Sequence, residues 1–119
     1  LFEEAEPRMT VLREYIARQS WSTEYEVVPS NPYLLELTAK GANKGGMVRR
    51  LAQMLEIRQE NVYCVGDHAN DIPMLTFART AFAPANAIQP VHEVPGIHIL
   101  PNCWENAIAA MIAELDKRY

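Results

Sequence analysis

Cysteine, lysine and aspartate are all scarce in this chain of 119 residues. The two cysteines, Cys64 and Cys103, have no Cys-x-x-Cys spacing and no His or Cys cluster beside them. That excludes a disulfide or zinc framework, and both read as buried, reduced thiols. Only Lys40, Lys44 and Lys117 carry an ammonium group, and 11 basic residues face 15 acidic ones for a net charge of −4. Such a chain has no basic stripe with which to grip a nucleic-acid backbone. No apolar run approaches the roughly 18 to 20 residues of a membrane span. The opening Leu1-Phe2-Glu3-Glu4-Ala5-Glu6 is acidic where a signal peptide needs basic residues, so a cytoplasmic location is expected. The chain starts at Leu1 rather than Met, as a processed, truncated or excerpted piece would.

What is present is a hydrophobic fraction of 49%, enough for one modest core. Pro7 followed by Met9, Leu12 and Ile16 predicts an amphipathic helix from Pro7 to Ser20. Two β-rich runs, Tyr25 to Val28 and Tyr33 to Leu37, flank Pro29-Ser30-Asn31-Pro32 and predict a hairpin turning there. Asn43 is a candidate N-cap for a helix running to about Glu56, with Met47, Leu51 and Leu55 on one stripe. Asn61 to Val65 reads as a strand buried on both faces, Asp71 to Ala78 as a helix, and Thr80 to Ala83 and Gly96 to Leu100 as further strands. Trp104 to Lys117 reads as a last helix with Ile108, Met111, Ile112 and Leu115 inward. Helices alternating with buried strands after Asn43 indicate an α/β fold with a parallel sheet. The first forty residues, helix then hairpin, resemble an α+β subdomain, giving a boundary between 1–40 and 41–119.

Two of only three aspartates fall in Val65-Gly66-Asp67-His68-Ala69-Asn70-Asp71, directly after a buried strand. Ligands of open α/β sheets bind at the carboxyl ends of strands. Asp67 and Asp71, four residues apart across a turn opened by Gly66, could converge on one point and suit Mg²⁺, which takes few carboxylates and keeps its waters. The plainer reading makes Asp71 a helix cap and Asp67 a turn residue. Lys44 begins the preceding helix within Gly41-Ala42-Asn43-Lys44-Gly45-Gly46, a place where the helix dipole disfavours a cation. An anionic partner such as phosphate would explain it; a merely solvated lysine is the alternative. The spacing is not that of a Walker A loop, nor do the aspartates follow an EF-hand. His68 is expected to be solvated, His92 and His98 lack metal-ligand companions, and Trp21 and Trp104 read as packing anchors.

Lys44-Gly45 before a helix, then Val65-Gly66-Asp67-His68-Ala69-Asn70-Asp71-Ile72-Pro73-Met74-Leu75, then Ala85-Asn86-Ala87 after the next strand, closely resemble the haloacid dehalogenase superfamily, best its Cof-type (class IIB) sugar-phosphate phosphatases. The resemblance spans roughly Tyr33 to Leu115. It implies a Rossmann-like three-layer core and a Mg²⁺-dependent phosphatase of small phosphorylated metabolites, with Mn²⁺ as a tolerated metal. Lys44 would neutralise the nucleophile and the phosphoryl group, Asp67 would ligate the metal directly, Asp71 would hold the metal's water shell or Lys44, and Asn70 would touch the phosphoryl group or the metal shell. Residues 1 to about 40 would be the end of the α/β cap. The family's nucleophile lies in an Asp-x-Asp-x-Thr motif, and this sequence has no Asp-x-Asp. The chain therefore resembles the C-terminal part of a phosphatase more than twice its length. It is expected to be inactive alone, and to self-associate or pair with an N-terminal half. The competing expectation is a non-catalytic α/β association or ligand-binding module with a vestigial acidic loop.

Overall fold

The computed structural model describes residues 2–31 and 33–119. The first helix, α1, runs Phe2–Ala17, so it starts five residues before the proline expected to open it, and Pro7 lies inside it. A 3₁₀ turn, Ser20–Glu24, leads into β1 (Tyr25–Asn31), which pairs antiparallel with β2 (Leu34–Ala39). The hairpin is thus present, but its first strand runs through Pro29 to Asn31 instead of turning there, with a register shift between Pro29 and Asn31. A bulge is one of the few places a strand tolerates proline. The Pro32 end of the expected turn lies outside the described residues.

α2 spans Lys44–Met54. Asn43 is its N-cap: the side-chain Oδ1 accepts a hydrogen bond from the Gly46 amide at 2.8 Å. The helix stops two residues short of Glu56 because Glu56 adopts a left-handed φ of 55°. The Ile57 amide then donates to the Ala52 carbonyl at 2.8 Å and the Glu56 amide to that of Gln53 at 3.2 Å, the Schellman closure. β3 (Tyr63–Val65), a 3₁₀ turn Ala69–Asp71, α3 (Ile72–Phe77) and β4 (Thr80–Pro84) follow. A short helix the periodicity did not reveal, α4 (Gln89–His92), precedes β5 (His98–Leu100). A 3₁₀ turn at Cys103–Glu105 and α5 (Ala107–Asp116) close the chain.

The second sheet is parallel throughout, in the order β3-β4-β5. Alternate strand residues feed two cores, as the pleat requires. Cys64, Ala81 and Ala83 face a cluster with Val48 and Ala52 of α2, Leu75 of α3 and Val91 of α4. Phe82 and Leu100 face the opposite way onto Ala107, Met111 and Leu115 of α5. Helices therefore cover both sides of the sheet, the three-layer α/β arrangement.

Two helix faces differ from expectation. On α2 the buried side is small, Gly45 and Ala52, while Met47 and Leu51 are 60% and 54% exposed and Leu55 is exposed too. The cause is a close crossing: a Cβ on Gly45 would stand 2.5 Å from the Pro73 carbonyl carbon, so only the smallest residues fit between α2 and α3. On α5, Ala107, Ala110, Met111 and Leu115 pack inward, and Ile108 and Ile112 are exposed. Trp104 is 69% exposed rather than packed inward; Trp21, at 39%, meets the Tyr25 ring edge-on. Cys64 is buried as expected, which pushes its thiol pKa up, but Cys103 is exposed.

Candidate active site

β3 ends at Val65, and the chain turns through Gly66 into the Ala69–Asp71 turn that starts α3. A glycine is needed at 66 because a Cβ there would lie 2.5 Å from Cβ of Asp71. That space lets the Asp71 carboxylate fold back beneath the turn, where the residue is only 5% exposed. Its Oδ2 accepts from the backbone amides of Asp67 at 2.9 Å and His68 at 3.1 Å. Its Oδ1 accepts from Nζ of Lys44, which reaches across from the first residue of α2. Burial alone would raise the Asp71 pKa. The Lys44 bond, the two amide bonds and the Lys44 charge outweigh it, and the carboxyl lies below its ordinary value.

Lys44 is thus paired with a carboxylate of the chain itself, while half of the lysine side chain remains exposed. Asp67 and Asp71 are not presented alike. Asp67 is exposed at the carboxyl end of the sheet; Asp71 has turned inward, both oxygens already engaged. Among the described residues, no group of three His, Cys, Asp or Glu side chains could hold a metal ion. His68 is half-buried rather than solvated, and its Nδ1 is buried without a hydrogen-bond partner. Asn86 accepts from the Cys103 amide at 2.8 Å, which ties the loop after β4 to the turn before α5.

Over this centre stands the hairpin. β1 lies against the Ala69–Asp71 turn, and between the two is a cleft of about 560 Å³. Lys44 and Asn70 line its floor, whereas Asp67 and Asp71 do not. Its other wall is the hairpin: Glu26 is opposite Thr38 and Val28 opposite Glu36, and all four line the cleft together with Tyr25 and Val27 of β1. Sequence reasoning assigned these hairpin residues no role. The signal available was the polar alternation of Glu36 and Thr38 on β2, readable only once the register was known.

A parallel sheet with a buried, lysine-paired aspartate after its first strand, beneath a hairpin, can be set beside known proteins. The sequence profile of the haloacid dehalogenase-like hydrolases matches residues 1–112. The chain belongs to that family. It is 40% identical over 92 residues to the Bacillus subtilis protein YxeH, covering 77% of this chain and 34% of YxeH. It is 32% identical over 98 residues to the Bacillus subtilis phosphatase YwpJ, covering 82% of this chain and 34% of YwpJ. A solved haloacid dehalogenase sugar phosphatase of subclass IIB superposes with a TM-score of 0.77 at 22% identity, covering 88% of this chain and 39% of that one. The chain spans about a third of the length of the curated relatives it matches. Phosphatases of this family are generally metal-dependent.

Proposed function

We propose that this chain is the phosphate-handling and metal-handling C-terminal part of a phosphatase that acts on small phosphorylated metabolites, sugar phosphates foremost. The observation that carries the reading is the Lys44–Asp71 pair at the carboxyl end of β3, open on its lysine side to a cleft under the hairpin. Phosphoryl transfer demands positioning and neutralisation of spreading negative charge. Lys44 supplies a half-exposed ammonium group, and Asp71 fixes where it points. Asn70 offers an amide donor on the same wall. Residues 1–40 act as the cap end that faces the leaving group, and 41–119 as the core.

The donors available to a metal are hard carboxylate oxygens, which fits Mg²⁺, with Mn²⁺ tolerated. Asp67 would be the direct ligand, since its carboxylate is the exposed one, and Asp71 would act on the metal's water shell and on Lys44. Bound there, the ion would supply further charge neutralisation at the phosphoryl group. Two carboxylates make a poor cage alone, so the isolated chain should bind Mg²⁺ at millimolar affinity or weaker, measurable by calorimetry. A cytoplasmic location and association with a further chain segment or a second copy complete the reading; among the described residues no helix is long and apolar enough to cross a membrane.

The test is enzymatic. The 119-residue chain alone should not turn over p-nitrophenyl phosphate, because it contains no Asp-x-Asp nucleophile. The full-length protein should do so with Mg²⁺, and Lys44→Met or Asp67→Ala should each lower kcat/KM by about 100-fold or more. Full activity in Asp67→Ala would sink the assignment.

A further inference from the structure

The cleft has two walls from different elements, and one side chain joins them. Asn43 uses both ends of its carboxamide. Its Oδ1 accepts from the Gly46 amide at 2.8 Å, capping α2, and its Nδ2 donates to Oε2 of Glu26 on β1 at 2.6 Å. The second bond is short, part-buried and charge-assisted, the strong class of hydrogen bond. Because the amide is planar and held at both ends, the hairpin cannot shift relative to the first turn of α2 without breaking one of the two bonds. The next residue in the chain is Lys44.

The covalent link between the walls is short, and its Gly41 carbonyl packs against Gly46 in the first turn of α2. Only residues 40–43 connect β2 to α2, and within them Gly41 has a φ of 83°, a conformation that glycine adopts at little cost. The link has two backbone ties on its hairpin side, Lys40 amide to the Glu24 carbonyl at 3.2 Å and Ala42 amide to the Ala39 carbonyl at 2.9 Å. Rotation about Gly41 and Ala42 would open the cleft and carry Val28, Glu36 and Thr38 away from Lys44 and Asn70. The Asn43–Glu26 bond opposes that rotation.

We infer that Glu26 and Asn43 are positioning residues: together they clamp the hairpin over the Lys44 wall and fix the width of the cleft around the part of the substrate that is not phosphate. The kinetic consequence rests on the phosphatase reading above, while the clamp itself can be tested without any turnover. Helix capping alone does not account for the pair. Serine caps about as well as asparagine, but the carboxamide presents an acceptor and a donor at its two ends, a span the shorter serine hydroxyl does not cover. Asn43→Ser therefore keeps the cap and loses the clamp. Glu26→Ala removes the clamp without touching α2, and Glu26→Gln keeps an uncharged acceptor.

The deciding experiment uses the ¹⁵N-labelled 119-residue chain in an aligned medium. Residual dipolar couplings from the hairpin and from residues 44–119 should fit one alignment tensor in the wild type and in Glu26→Gln. They should need two in Glu26→Ala and in Asn43→Ser. A single shared tensor in Glu26→Ala would overturn the clamp, and that variant decides the matter even if Asn43→Ser fails to fold. In the full-length protein, Glu26→Ala should raise KM for glucose 6-phosphate ~10-fold, the order expected for one charge-assisted bond. Its kcat should fall less than KM rises, the loss should be smaller for p-nitrophenyl phosphate, and Glu26→Gln should recover most of it. An equal fall in kcat on both substrates would mean general damage and refute the positioning role. If the wild type hydrolyses neither substrate, the phosphatase reading fails while the dipolar couplings still judge the clamp.

Discussion

Asp71 shows how much a single buried carboxylate can be asked to do. Its two oxygens gather the Lys44 ammonium and the amides of Asp67 and His68, so it organises both the lysine and the turn. The motif was legible in the sequence because Gly66, Asp67 and Asp71 follow an apolar run. The division of labour between the aspartates was not. A spacing of four placed both near the sheet edge, but the 3₁₀ turn at Ala69–Asp71 rolls one inward and leaves the other outside. A prediction follows from the depressed Asp71 pKa. A group ionising more readily when folded adds stability above its unfolded pKa, and that contribution drains away as pH falls through the folded value. The wild type should thus lose stability as pH drops below about 4, whereas Asp71→Asn should have a flatter acid limb. At pH 7 the same variant should cost about 1–3 kcal/mol, since the Oδ2 acceptor can be kept but the ionic bond to Lys44 cannot. Urea denaturation from pH 2 to 8 reads both effects; parallel curves for the two proteins would refute the link.

At the level of elements, α2 was half legible. Its start was, because Asn43 is a strong capping residue and caps in the structure. Its inward face was not, since two apolar stripes compete on one helix. The larger stripe of Met47, Leu51 and Leu55 carries more hydrophobic signal, but the crossing with α3 at Pro73 admits only the smaller one through Gly45, Val48 and Ala52. The same logic reversed the reading of Ile108 and Ile112 on α5, where Ala107 and Ala110 take the close positions. The end of α2 was illegible for another reason. The left-handed position that closes it holds Glu56, where glycine would have announced the stop. A residue with a Cβ costs roughly 1–2 kcal/mol there, partly offset by the lower chain entropy of a non-glycine residue. Glu56→Gly should accordingly stabilise the chain by about 0.5–1 kcal/mol. Thermal unfolding should show a Tm higher by a few degrees, and a lower Tm would mean that the Glu56 side chain contributes more than its backbone costs.

For the whole molecule, the distribution of apolar surface matters more than its amount. The sheet core is well closed around Phe82, Leu75 and Val91, all within 2% of full burial. Outside it, Met47, Leu51, Met54 and Leu55 lie exposed along α2, and Ile99, Ile108 and Ile112 along β5 and α5. β3 has a neighbour on one side only in the sheet order β3-β4-β5. Contiguous exposed apolar patches beside a strand edge are surfaces that bind chains. α2 also carries Lys44, Arg49 and Arg50 and no acidic residue, while α5 carries Glu114 and Asp116, so charge favours contact between unlike faces of two copies. Self-association at micromolar concentration is therefore expected by sedimentation velocity. Met47→Glu with Leu51→Glu should shift the chain toward monomer. Both side chains are already more than half exposed, so unfolding free energy should change by no more than about 0.5 kcal/mol per site. Loss of association together with a stability drop of several kcal/mol would show that these residues are buried in the solution fold. A wild type that sediments as a strict monomer would mean that the patches do not pair two copies.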